Sequence, residues 1–242
     1  MWRMILISLL VAGCVCFGAR DDMTVVKPAN TALYSVATIQ KITNKTAPVH
    51  IYIEGDGHSF DSRGRATTDP TPHSRFMRDM AAADNSPNVA YIARPCQFIM
   101  DEKCNVSDWT DGRFSHAMVD SVTGAIKSIA GTRPVILIGY SGGAMIAGLV
   151  IQKHGEIDVK KWITIAGVLD HDDWTRHFND TPLTHSLNLN TLPRLPQTHY
   201  IVENDAIVPN FLSRQWVSES DIKIIKNARH DTIPVMELDF TY

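Results

Sequence analysis

The chain has 242 residues, 44% hydrophobic and 20% charged, enough apolar material for one substantial core and no compositional break that marks a second. Its formal net charge is −3 and no lysine–arginine cluster stands out, which argues against a nucleic-acid surface. A small or apolar ligand is the natural partner.

The chain opens M-W-R-M-I-L-I-S-L-L-V-A-G-C. One positive charge at Arg3 precedes an apolar run from Met4 to Phe17 that is too short to span a bilayer, the pattern of an export signal. Val11, Ala12, Gly13 and Cys14 resemble the bacterial lipobox, in which the signal is cleaved before the cysteine and that cysteine is lipidated. Residues 1–13 are therefore expected to be a signal peptide, 14–30 a lipidated tether and 31–242 a single domain; the alternative is a plain signal with an ordinary cleavage site. Val15, in place of an aspartate, resembles outer-membrane sorting in enteric bacteria. The expected location is the bacterial cell envelope, lipid-anchored and facing the periplasm, with a soluble periplasmic or secreted protein as the alternative.

Beyond the tether, a strand or hairpin is expected over 34–42, a strand over 49–54, a helix over 74–83 and a strand over 89–93. Cys96 and Cys104, in R-P-C-Q-F-I-M-D-E-K-C, are close enough to close a small loop as a disulfide, which an exported protein permits; two free thiols are the alternative. Cys16 is left unpaired. Met118, Val122, Ala125, Ile126 and Ile129 mark one helical face, closed by Gly131.

Then comes V-I-L-I-G-Y-S-G-G-A. The four branched apolar residues from Val135 read as a buried parallel strand, and the apolar residues from Gly142 to near Gly155 as a helix. Ser141 thus sits on a strand-to-helix turn, in the G-x-S-x-G pattern that exposes a nucleophilic hydroxyl above a sheet. Strands over 162–166, 198–203 and 222–225 and a helix over 210–217 complete the chain. Such alternation implies an α/β architecture: a mostly parallel sheet with helices on both faces, and reactive groups in loops at the carboxyl ends of strands.

A serine hydroxyl needs a base to take its proton and an acid to orient that base. In this architecture the order is serine, acid, histidine. Asp205 follows the strand ending at Glu203, and His230 follows the last strand; both stand in that order. Asp170, after the strand ending at Ala166, is the alternative acid, and Asp231 a third. Two backbone donors must meet the oxyanion. Gly142 supplies one, and the loop E-G-D-G-H supplies the other from Asp56 or Gly57, with Glu54 where a histidine is usual. No G-K-[ST] follows that loop, so a phosphate cradle does not fit.

Two further groupings look chemical. His171, Asp172, Asp173 and His177 could be metal ligands, but their spacing fits no zinc helix pattern, and the segment to about Pro196 reads instead as a short cap. Arg94 and Pro95 either line the same mouth or form a structural turn. No metal or cofactor is expected.

With these residues on the page, the chain resembles the α/β-hydrolase superfamily, and I-E-G-D-G-H, A-R-P-C-Q-F, G-Y-S-G-G-A and A-G-V-L-D-H-D-D-W-T together resemble a poorly characterised group of exported bacterial serine hydrolases or lipoproteins. The resemblance implies the α/β-hydrolase fold with a short cap, and a serine hydrolase acting on carboxylic esters through an acyl-enzyme. The expected partners are a small-molecule or lipid-like acyl substrate and a membrane reached through the lipid anchor. Amidase, peptidase or acyltransferase chemistry on the same triad, or a non-catalytic envelope lipoprotein on a hydrolase scaffold, are the alternatives.

Overall fold

The computed structural model describes residues 23–27 and 33–242. Residues 1–13 and Cys14, the expected signal and lipidation site, lie outside the described residues, as does Cys16. Eight strands form one sheet: β1 (Thr24–Val26), β2 (Val36–Ile42), β3 (Val49–Ile53), β4 (Asn88–Ile92), β5 (Val135–Tyr140), β6 (Val159–Ile165), β7 (Gln197–Val202) and β8 (Ile222–Ile225). Their spatial order is β1-β2-β4-β3-β5-β6-β7-β8; β2 runs antiparallel to β1 and β4, and all later neighbours are parallel. β1 falls in the segment read as a tether, where Thr24 pairs with Thr38 and Val26 with Val36.

The central strands are apolar on both sides because both sides are covered. Val49, Ile51 and Ile53 of β3 and Val135 and Leu137 of β5 face one core, with α2 (His116–Ala130) and α3 (Gly142–Lys153) packed on them. Tyr52, Ile136 and Ile138 face the other, which α1 (Phe76–Ala83) covers with Met77 and Met80. The remainder of that face is covered by the irregular C-terminal segment, through Met236, Leu238 and Phe240.

The elements begin and end close to where the sequence puts them, and the differences have local causes. The first long strand starts at Val36 and not at Tyr34, since Tyr34 N–H donates to Ser121 Oγ at 3.0 Å and Ser35 N–H to Asp101 Oδ2 at 3.1 Å. α1 starts at Phe76, whose N–H donates to Ser74 Oγ at 3.1 Å. α5 (Asn210–Arg214) stops short of Val217, ending in turns that bring Trp216 N–H to Ser213 O at 3.0 Å. The cap segment contains a helix not anticipated as one, α4 (His171–Phe178), whose sequence H-D-D-W-T-R-H-F is short and mostly polar. Cys96 and Cys104 are joined by a disulfide across the loop after β4.

Candidate active site

β5 ends in the turn that carries Ser141. Its backbone has φ 51° and ψ −122°, a left-handed conformation that costs on the order of 1–3 kcal/mol and persists only where surrounding contacts enforce it. Here Ser141 N–H donates to Ile165 O at 3.0 Å, while its carbonyl accepts from Ala144 and Val168, both at 3.1 Å. The flanking glycines are a matter of space. A Cβ on Gly139 would sit 2.4 Å from Gly143 O, and one on Gly143 would sit 2.5 Å from both Glu54 O and Ile53 O. The turn closes only with bare backbone at those positions.

The loops after β7 and β8 bring the predicted partners to the serine. His230 Nε2 lies 3.0 Å from Ser141 Oγ, and His230 Nδ1 lies 2.8 Å from Asp205 Oδ2. Asp205 is wholly enclosed at its side chain, and its other oxygen accepts from Ile207 N–H at 2.8 Å and Val208 N–H at 2.9 Å. Those two donors fix which carboxylate oxygen faces the histidine. Tyr140, which sequence reasoning passed over, fixes the histidine from the other side: its hydroxyl donates to His230 O at 2.7 Å, and the two rings lie 5.1 Å apart.

Asp170, the alternative acid, is occupied elsewhere. It caps α4, accepting from Asp173 N–H at 2.8 Å and from Asn188 Nδ2 at 3.1 Å. Asp231 is exposed and lies 3.6 Å from Arg229 Nε. The residues weighed as metal ligands are dispersed on α4: His171 stacks on Phe114, and His177 packs edge-on to Phe178 and Phe211. Among the described residues no group of three or more His, Cys, Asp or Glu is placed to hold a metal ion.

The loop after β3 crosses directly in front of the elbow. A Cβ on Gly55 would lie 3.3 Å from Ser141 Cβ, and one on Gly142 would lie 2.0 Å from Asp56 Oδ1. Among the described residues the N–H groups of Gly142, Asp56 and Gly57 make no hydrogen bond, so they stand available where the sequence places an oxyanion. The Asp56 carboxylate, which also borders the cavity over Ser141, forms an ion pair with two arginines, Arg94 Nη1 at 3.1 Å and Arg113 Nη1 at 2.9 Å. Burial raises its pKa, but Arg113 and Arg94 outweigh burial and hold the carboxyl below its usual value. Arg94 is buried behind this loop and does not line the mouth; its Nη2 donates to the Arg113 carbonyl. Gln97 straps the same loop, donating to Gly55 O at 3.0 Å and accepting from Arg94 N–H at 3.0 Å. Neither Arg113 nor Gln97 carries a local sequence signal for this role.

Glu54, at the place of the usual histidine, lies beneath the loop. One oxygen accepts from Gly55 N–H at 3.0 Å and the other from Tyr91 O–H at 2.9 Å. Burial pushes its carboxyl from an ordinary 4.5 up to about 6, against the pull of those two donors and of Arg78 and Arg94. Because the folded pKa exceeds the unfolded one, the folded state holds the extra proton, so stability from Glu54 is greatest below about pH 4.5 and declines as pH rises through about 6. The decline is about 2 kcal/mol. Urea unfolding of wild type and Glu54→Gln at pH 4.5 and pH 7 isolates it: the stability of wild type relative to the variant should fall by that amount, and an unchanged difference would contradict the burial argument.

A cavity of about 460 Å³ opens over Ser141 and His230. Phe114, Val168, Trp174, Leu183 and Val208 make its walls largely apolar, and Trp174 and Leu183 come from the cap. Trp174 is anchored there by a hydrogen bond from its indole N–H to Ile207 O at 2.7 Å.

No protein-family model matches the chain, and no curated protein does. Solved structures do. The chain is similar to an α/β serine hydrolase homologue from Coxiella burnetii, 11% identical with a TM-score of 0.54, over 87% of this chain and 89% of that one. It is also similar to a Pyrococcus furiosus esterase, 13% identical with a TM-score of 0.56 over 86% and 84% of the two chains. The Butyrivibrio proteoclasticus protein Est1E, solved with ferulic acid bound, is 11% identical with a TM-score of 0.59 over 86% and 91%. At such identities the likeness is one of architecture: the chain has the α/β-hydrolase fold.

Proposed function

We propose that this protein is a serine hydrolase that cleaves carboxylic esters through an acyl-enzyme. The observation that carries the reading is the continuous chain from Asp205 through His230 to Ser141, at 2.8 and 3.0 Å, on a strained strand-to-helix turn at the floor of an apolar cavity. In the first half-reaction His230 Nε2 takes the hydroxyl proton as Ser141 Oγ bonds to the carbonyl carbon. The oxyanion is met by Gly142 N–H and by the N–H of Asp56 or Gly57, and His230 returns the proton to the departing alcohol. Water then repeats the sequence on the acyl-serine, and the acid leaves. Esters are favoured because the cavity over Ser141 has largely apolar walls that suit a small acyl group.

The reading includes an envelope location, with Cys14 as the lipidated residue; the opening sequence supports it through the short apolar run and the tetrad Val11 to Cys14.

Treating the soluble domain with a fluorophosphonate tests the chemistry. One adduct, mapped to the peptide that contains Ser141, is expected. Folded protein that takes no label, or takes it at another residue, would overturn the mechanism.

A further inference from the structure

We propose that Arg113 makes this site selective for esters that carry an acidic group, a carboxylate above all, beside the bond that is cleaved. The inference rests on the reading of Ser141 as the acylated nucleophile. Arg113 lies just before α2 and lines the same cavity as Ser141 and His230. It is only 7% exposed, an unusual setting for an arginine without a structural or ligand partner for each of its nitrogens. Nε donates to Thr110 O at 2.7 Å and Nη1 to Asp56 Oδ2 at 2.9 Å. Nη2 has no partner among the described residues.

The charge balance around it points the same way. Asp56 is shared, since Arg94 Nη1 occupies its other oxygen at 3.1 Å. One carboxylate faces two guanidiniums, and Glu54 acts on Arg94 and Arg78, so Asp56 is the carboxylate that pairs with Arg113, while Asp231 is two-thirds exposed at the rim. The guanidinium is also held in place, with the Phe60 ring 5.5 Å from its carbon. A fixed planar donor next to Gly142, through Asp56, is suited to an anion held near the reacting carbon.

Paired substrates of matched size test this on the wild-type protein. On the acyl side, 4-nitrophenyl hydrogen glutarate is compared with 4-nitrophenyl pentanoate; on the alcohol side, 4-acetoxybenzoate is compared with 4-acetoxytoluene. In at least one pair kcat/KM should favour the anion by roughly 10- to 100-fold, the range of one charge-assisted hydrogen bond. The pair that responds shows which half of the ester carries the acid. In Arg113→Gln the ratio within that pair should fall to near 1, and Arg113→Lys, which keeps charge without the fork, should lie between. Because the ratio compares two substrates on one sample, a loss of folded protein does not move it. Neutral esters cleaved as fast as their anionic partners in both pairs would overturn the inference while leaving Ser141 labelling and the hydrolase reading intact. Failure to label or to cleave any ester would instead strike at that reading.

Discussion

Asp205→Asn should fold normally and lose about 10⁴-fold in kcat, the scale seen when a triad acid can no longer set the histidine tautomer. The reason lies in the three contacts of the carboxyl. Its Oδ1 accepts from Ile207 and Val208 N–H at 2.8 and 2.9 Å, and an asparagine Oδ1 can go on accepting both. That leaves the amide nitrogen facing His230 Nδ1, 2.8 Å away, where a carboxylate had accepted a proton. The amide must donate, so Nδ1 must accept, and the ring proton moves to Nε2. A histidine protonated at Nε2 cannot take the proton of Ser141 Oγ, 3.0 Å off. Ser141→Ala should lose more, on the order of 10⁶-fold, since the bond-forming atom itself is gone. The rival acid supplies the control. Asp170→Asn touches the cap of α4 and should keep kcat within a few-fold of wild type. Steady-state kinetics on any cleaved ester, with circular dichroism to verify folding, decide the matter: an Asp205→Asn enzyme within tenfold of wild type, or a collapse in Asp170→Asn, would reassign the acid.

Gly139→Ala is expected to be the most disruptive single-methyl substitution in the core, costing about 4 kcal/mol or preventing accumulation of folded protein. The new Cβ would meet Gly143 O at 2.4 Å and Ala144 N at 2.5 Å. Both are backbone atoms of the first turn of α3, so no side chain can rotate out of the way. Either β5 or α3 must shift, and each is buried against the other. The same change at Gly124 in α2, where a Cβ would have nothing within 4 Å, should raise stability by about 0.5–1 kcal/mol, as alanine for glycine does in a helix. Thermal or urea unfolding of the two variants measures the contrast. A Gly139→Ala protein as stable as wild type would mean that the elbow is looser than its packing implies.

Much of this architecture was legible because it is written locally. The apolar run at 135–138 needs no long-range information to read as a strand covered on both faces, and the bracketed serine after it has a steric cause within five residues. Even the loop candidates Asp205 and His230 could be named, because strand ends can be located and reactive groups gather there.

What the sequence could not decide was which distant groups would meet. Asp205, Asp170 and Asp231 all follow strands or sit beside the histidine, and only the paths of the loops after β7 and β8 set Asp205 against His230 and left Asp170 to cap a helix. The pairing of Asp56 with Arg94 and Arg113 spans 38 and 57 residues of chain, and although Arg94 stands in the A-R-P-C-Q-F stretch, nothing local names Asp56 as its partner. α4 escaped because it is only eight residues long and mostly polar, and because its Asp170 cap is completed by Asn188, eighteen residues further on. The C-terminal segment likewise covers a sheet face without regular structure of its own. Composition, the succession of strands and helices along the chain and the glycine-bracketed turn at Ser141 are therefore properties of neighbouring residues. Which carboxylate meets His230, the charge lining the cavity and the cap belong to the tertiary structure, because burial and ion pairing depend on atoms that only folding brings together.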